Sequence, residues 1–172
     1  MLSRIISLFV LGFFLVGCSA KIATVEENAQ KINNLTTMLS TLKGIDKYEA
    51  HNLAKHSVNY SQNLIKEYKL VSPPLWQNSL VNMGLKKRGL CYEWAEDLLM
   101  HLSKYAYKTL EIHQVGADIG SYFEHNALSV SRKGDGIYGS ILLDAWRHSG
   151  DLFFIKIEED KKYQWKERFD LK

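Results

Sequence analysis

Three residues of this chain, Cys91, His125 and Asp144, are of the types that together form a nucleophilic site. A thiol nucleophile needs surroundings that favour the thiolate, a base beside it and a group that orients the base. Cys91 stands at the predicted start of a helix, where backbone N–H groups and the helix dipole stabilise negative charge. His125 and Asp144 follow in two segments with strand character. The order of the three residues therefore predicts covalent catalysis by a thiol.

The helix that must position the thiol, predicted from Cys91 to about Lys104, is the clearest element of the sequence. Its apolar residues recur at i, i+3, i+4, i+7, i+8 and i+11, which places them on one face of an amphipathic helix. They are Cys91, Trp94, Ala95, Leu98, Leu99 and Leu102. An apolar face of this kind packs against a core and holds the first residue of the helix in a fixed position.

The remaining elements predict an α+β fold, with N-terminal helices packed on a small antiparallel sheet. Helical spacing extends from Asp46 to about Tyr68, where Ser72-Pro73-Pro74 ends the pattern, and a short helical piece follows over 75–83. Short apolar runs rich in β-branched residues then predict strands. They cover residues 109–115, 124–130, 140–146 and 152–157. Residues 132–136 carry a turn signal between the second and third runs.

Composition limits the class of protein. A chain of 172 residues with 46% apolar and 12% aromatic residues is enough for one globular domain with a real core. A formal charge of +3, with no basic stripe interleaved with aromatic residues, gives no argument for a nucleic-acid partner. We place the single α+β domain at residues 46–172.

The N-terminus resembles a bacterial lipoprotein signal. Arg4 precedes an apolar run too short to span a bilayer, and Leu15-Val16-Gly17-Cys18 is similar to the lipobox of lipoproteins. The resemblance implies that residues 1–17 are removed and that Cys18 carries the lipid that anchors the chain. Residues 18–45 are then a lipidated tether that becomes a first helix. Ser19 favours the outer membrane, facing the periplasm, in a cell that has two membranes.

Lipidation of Cys18 leaves Cys91 as the only thiol of the mature chain. Exported proteins normally pair or avoid their cysteines. A lone thiol in an oxidising compartment is prone to oxidation unless it is buried or used. Cys91 is therefore expected to be either buried or functional, whatever its neighbours are.

The residues around the three candidates resemble the transglutaminase-like branch of the papain-type cysteine enzymes. The likeness rests on Gly89-Leu90-Cys91-Tyr92-Glu93-Trp94-Ala95, on Glu124-His125-Asn126-Ala127 and on Leu143-Asp144-Ala145-Trp146. It implies a nucleophilic Cys91, a general base in His125 and an orienting partner in Asp144. It also implies an oxyanion hole that includes the Cys91 backbone N–H. Candidates for the side-chain donor are Trp76, Gln77 and Tyr92.

Each candidate also has a structural interpretation. Cys91 could be a small buried apolar residue, His125 could make only a structural hydrogen bond, and Asp144 could simply bond backbone groups. His113 could join the three as a zinc site, but no Cys-x-x-Cys or His-x-x-x-His spacing supports one, and we expect neither metal nor cofactor. Lys166-Glu167-Arg168 is interpreted as ordinary solvated charge.

Two functions follow as expectations. The first is a membrane-anchored cysteine-dependent amide hydrolase or acyl transferase that acts on peptides, envelope proteins or peptidoglycan stems. The alternative is a non-catalytic envelope lipoprotein that uses the same fold to bind peptides or glycans. Its groove would be lined by Trp76, Trp94 and Trp146.

Overall fold

The computed structural model describes residues 20–169, so the predicted signal segment 1–17 and the lipidation residue Cys18 lie outside the described residues. The described chain forms four helices followed by a five-stranded antiparallel open sheet. The predicted α+β class is therefore confirmed.

Four helices precede the sheet, and side chains cap the starts of the first two. They are α1 (Val25–Leu39), α2 (Lys47–Glu67), α3 (Pro74–Asn82) and α4 (Cys91–Leu102). Thr24 and Glu27 cap α1 reciprocally, and the Asp46 carboxylate accepts the Glu49 N–H at the start of α2.

The segment before α1 packs against the domain. Ala20 is buried, and the Ala23 N–H donates to Gln62 Oε1 of α2 at 2.9 Å. The part of the predicted tether that the structure describes is thus attached to the helical body from its first residues.

The five strands lie in the order β4-β3-β2-β1-β5, and every pair is antiparallel. They are β1 (Leu110–Ala117), β2 (His125–Arg132), β3 (Ile141–Asp144), β4 (Phe153–Lys156) and β5 (Lys166–Arg168). The first four correspond to the predicted runs, whereas β5 had not been predicted.

The third strand ends earlier than predicted because its last side chain turns the backbone. Asp144 Oδ1 accepts the backbone N–H groups of Trp146 at 3.1 Å and Arg147 at 2.9 Å. Gly150 closes the turn with an N–H bond to the Ala145 carbonyl at 2.9 Å. The turn over 145–150 carries two side chains of the site described below.

The sheet has a different core on each face. Leu128, Val130, Ile141 and Leu143 join the helices in the main core, while Ala127 and Leu142 join a smaller cluster with Val115, Ile137 and Ile157. Successive strand residues point to opposite faces. His125 and Asp144, each two positions from a member of the smaller cluster, therefore share the face opposite the helices.

Candidate active site

Cys91 is the first residue of α4 and is half-buried. Its Sγ lies 3.6 Å from the backbone oxygen of Glu124, just before β2, and 4.0 Å from Nδ2 of Asn126. The Glu93 carboxylate reaches back to accept the N–H groups of Gly89 at 2.6 Å and Leu90 at 2.9 Å. This fixes the backbone that leads into the helix, and with it the position of the thiol.

Gly89 is required by the close approach of Gln77. Its φ of +134° is unfavourable for L side chains, and a Cβ there would lie 2.6 Å from Gln77 Cγ. Gln77 is fully buried, and its amide donates to the Arg88 carbonyl at 2.8 Å and accepts the Val71 N–H at 3.0 Å. Gln77 thus fixes the backbone of the segment before Cys91 through its bond to Arg88.

His125 and Asp144 form a buried pair, with 2.7 Å between Nε2 and Oδ2. The same carboxylate oxygen accepts Nε of Arg147 at 2.9 Å, in addition to the two backbone bonds at Oδ1. Burial opposes ionisation of Asp144, but the charges and hydrogen bonds of His125 and Arg147 hold its pKa below the ordinary value. The buried carboxylate is therefore ionised and fully bonded.

The His125 ring connects this carboxylate with the thiol. Burial disfavours its charged form, yet the charge and hydrogen bond of Asp144, assisted by Cys91, raise the pKa of His125 to about 9. Since Nε2 faces Asp144, Nδ1 is the ring nitrogen left for Cys91. Three aromatic rings pack around the imidazole, with centroid distances of 4.8, 4.7 and 5.4 Å to Trp146, Tyr163 and Trp165.

Arg147 and Asp160 are site residues that the sequence analysis missed. Nη2 and Nη1 of Arg147 lie 2.6 and 3.3 Å from the two oxygens of Asp160, and Trp165 Nε1 donates to Oδ2 of Asp160 at 2.9 Å. The guanidinium therefore bridges two buried carboxylates. The available signal was the expectation that a buried strand aspartate needs a charged partner, with Arg147 three positions away.

A second missed group lies beside Cys91. The Arg168 side chain is only 7% exposed, and it pairs with the Glu124 carboxylate and donates to Asn126 Oδ1 at 2.8 Å. Glu167 pairs with His113 at 2.7 Å. The prediction that Lys166-Glu167-Arg168 is ordinary solvated charge is wrong for these two residues, because β5 pairs with β1 and brings them against the sheet.

The predicted oxyanion donors are placed differently from one another. Trp76 and Tyr92 are 50% and 38% exposed, and the Gln77 amide is bonded as described above. Their role in an oxyanion hole stays a prediction. Trp94 is buried, with Nε1 donating to the Gly89 carbonyl at 3.2 Å, so it does not line an open groove.

His113 serves the sheet rather than the thiol site. Its ring nitrogens lie 2.7 Å from Glu167 Oε1 and 2.8 Å from Ser131 Oγ. Within residues 20–169, no group of three or more histidine, cysteine or acidic side chains is placed to hold a metal ion. In the same range, no helix has the length and apolar character needed to cross a bilayer.

Comparison of the chain with protein-family models, with curated proteins and with solved structures finds no match. Asp144 binds His125 directly, and the Cys91 thiol lies near enough to the same imidazole to favour its protonated form. A thiol, an imidazole and a carboxylate in this order are what proton transfer from a sulfur nucleophile requires.

Proposed function

We propose that this chain is a membrane-anchored thiol enzyme that hydrolyses or transfers amides through an acyl-thioester on Cys91. One observation carries the proposal: His125 contacts the buried Asp144 through Nε2 at 2.7 Å while its ring also interacts with Cys91 at the start of α4. A histidine with only a structural role would not need a thiol beside it, and a cysteine with only a structural role would not need a histidine beside it.

The proposed reaction follows from these contacts. His125 holds the proton of the Cys91 thiol, and the thiolate attacks the carbonyl carbon of the amide. Collapse of the tetrahedral intermediate breaks the C–N bond, and His125 returns its proton to the leaving amine. Water or a second amine then attacks the thioester with His125 as base, which regenerates the thiol. Hydrolysis and transamidation differ only in this last nucleophile.

The electrostatics favour this cycle. An ionised Asp144 stabilises the imidazolium that forms while His125 carries the proton. Arg147 keeps Asp144 in its ionised form, because protonating that carboxylate would leave the guanidinium without one of its two charged partners. The aromatic rings packed around His125 keep its imidazole buried, where the charge of Asp144 acts on it most strongly.

The location of the substrate follows from the lipobox. With a lipid on Cys18, the domain would reside at the cell envelope, and the outer membrane facing the periplasm is favoured. Peptides, envelope proteins and peptidoglycan stems are the amides available there. The transglutaminase-like resemblance supports the same class of acyl chemistry.

The test is the alkylation rate of Cys91 by iodoacetamide across pH. We would use the full chain in detergent with Cys18→Ser, so that Cys91 is the only thiol. We expect rapid alkylation at neutral pH and a clear loss of rate in His125→Ala, because the imidazolium stabilises the thiolate. A slow thiol that is indifferent to His125 would contradict the proposal.

A second candidate function is a binding module without turnover. Tyr122 and Phe123 are 91% and 77% exposed in the loop that leads directly to Glu124, whose backbone oxygen contacts Cys91. Exposed aromatic pairs are typical of surfaces that bind peptides or glycans. A thiol indifferent to His125, together with retained binding of a peptide or glycan after Cys91→Ala, would favour this alternative.

A further inference from the structure

The orientation of the Asn126 side-chain amide is determined by its neighbours. Arg168 has only donors, so the amide oxygen must face it, and the Nη1–Oδ1 distance is 2.8 Å. An ionised Glu124 has only acceptors, so the amide nitrogen must face it, and the Nδ2–Oε1 distance is 3.2 Å. If the amide were rotated by 180°, its nitrogen would face the donors of Arg168 and its oxygen would face the Glu124 carboxylate.

Glu124 is ionised at every physiological pH. Its Oε2 accepts the Gly120 N–H at 2.7 Å, and its Oε1 contacts Arg168 and Asn126. These three contacts outweigh the cost of burying the charged carboxylate. Together they lower the pKa of Glu124 to about 2.

The Asn126 amide nitrogen also lies near the sulfur. One Nδ2 hydrogen is used by Glu124, and Cys91 Sγ lies 4.0 Å from the same nitrogen. His125 and Asn126 are consecutive in β2, so their side chains leave the strand on opposite faces. The base and the amide donor thus reach Cys91 from different sides.

This placement suits an oxyanion. A carbonyl carbon bonded to sulfur carries its oxygen about 2.7 Å from the sulfur, and a donor must lie about 2.7–3.1 Å from that oxygen. An amide nitrogen 4.0 Å from Sγ is compatible with both distances. It would act with the Cys91 backbone N–H at the start of α4, without using Trp76, Gln77 or Tyr92.

We propose that Asn126 is the side-chain donor of the oxyanion hole and that Arg168 is a positioning residue that fixes its amide. This inference rests on the proposed function. It concerns the acylation step alone, in which the Cys91–carbon bond forms and the carbonyl electron pair moves onto oxygen. The oxyanion pair then re-forms the carbonyl as the leaving group departs with the electrons of its bond to carbon. A leaving amine takes the proton from His125, whereas p-nitrophenolate departs without it.

Two probes separate this role from an effect on the thiol itself. Acylation by p-nitrophenyl acetate passes through a tetrahedral oxyanion and releases p-nitrophenolate, whereas alkylation by iodoacetamide displaces iodide at a saturated carbon. We would measure both rates on the Cys18→Ser chain in detergent, at the plateau of each pH profile, where the thiolate fraction no longer changes.

Asn126→Leu keeps the shape of the side chain and removes the donor. We expect acylation to fall about one hundredfold and plateau alkylation to stay within about threefold. Equal loss of both rates, or no loss of either, would overturn the proposal. A parent chain without His125-dependent alkylation would instead remove the proposed function itself, and this inference with it.

Arg168→Gln keeps the Asn126 donor but removes the charge that orients it, and it tests the proposal should Asn126→Leu fail to fold. We expect acylation to fall about tenfold with unchanged plateau alkylation, since the charge-assisted hydrogen bond that orients the Asn126 amide is lost. Lys166→Gln, an exposed change on the same strand, is the matched control and should alter neither rate. Full acylation activity in Arg168→Gln would exclude a positioning role for Arg168.

Discussion

Arg147 binds Asp144 through Nε at 2.9 Å and Asp160 through Nη2 at 2.6 Å, so one buried guanidinium joins the end of β3 to the segment before β5. The guanidinium also lies over the Phe153 ring, with 4.1 Å between its carbon and the ring centroid. This bridge holds the third member of the Cys91–His125–Asp144 group in place from the side away from the thiol.

Replacing Arg147 with methionine should destabilise the protein by about 3–5 kcal/mol, because two buried carboxylates lose their shared cation. The free energy of unfolding, from urea titration followed by circular dichroism, measures the loss. Arg132→Met is the matched control, since Arg132 pairs with Asp135 in solvent and its replacement should cost far less. Equal costs for the two variants would contradict the bridge.

The stabilising contribution of His125 should depend on pH with a definite sign. Its pKa of about 9 in the folded protein lies above the ordinary 6.5, so the folded state binds the proton more tightly. That contribution is complete below pH 6.5 and is lost as the pH rises through about 9. We expect the unfolding free-energy difference between Cys91→Ser and Cys91→Ser with His125→Gln to shrink across this range. A constant difference would contradict the raised pKa.

Cys91→Ala and His125→Ala should each abolish acylation by p-nitrophenyl acetate while the protein stays folded. Cys91 supplies the nucleophile, and His125 supplies the base. In His125→Ala, Asp144 keeps Arg147 and two backbone donors, so the buried carboxylate is not left unpaired. Stopped-flow release of p-nitrophenolate and the far-ultraviolet spectrum are the two measurements. Full activity in either variant would exclude the assignment.

Gly150→Ala should destabilise the turn that carries Arg147 by about 2–4 kcal/mol. The φ of +88° alone costs a residue with a side chain about 1 kcal/mol, and a Cβ would lie 2.3 Å from Ile65 Cγ1 of α2. Gly134→Ala is the matched control, because its φ of +86° is similar and nothing lies within 4 Å of the added atom. We expect the melting temperature to fall further in Gly150→Ala than in Gly134→Ala. Equal falls in the two variants would rule out the contact with Ile65.

The sequence predicted those features that periodicity and order determine. The apolar face of α4 fixed where Cys91 begins a helix, and strand-like runs placed His125 and Asp144, which the structure brings together. The sequence did not predict β5, because three residues rich in charge carry no hydrophobic period that distinguishes a strand from a solvated loop. Its partners depend on pairing with β1, which tertiary structure alone decides.

The same limit applied to the polar contacts. Asn126 stands next to the predicted base, yet its importance depends on Arg168, far along the chain, and on the carboxylate between them. Arg147 directly follows the third predicted strand, but nothing in that position reveals its partner Asp160. Charged side chains take partners that folding supplies, and neither spacing nor composition encodes those partners directly.

The attachment of Ala20 to the helical body has a consequence for the working range of the protein. Only Ser19 separates Ala20 from Cys18, and two consecutive peptide units extend at most about 7 Å. If Cys18 bears the lipid, the first buried residue of the domain would lie within that distance of the anchor, and the domain would sit next to the headgroups. Its targets would then be molecules held at, or brought to, the same membrane surface.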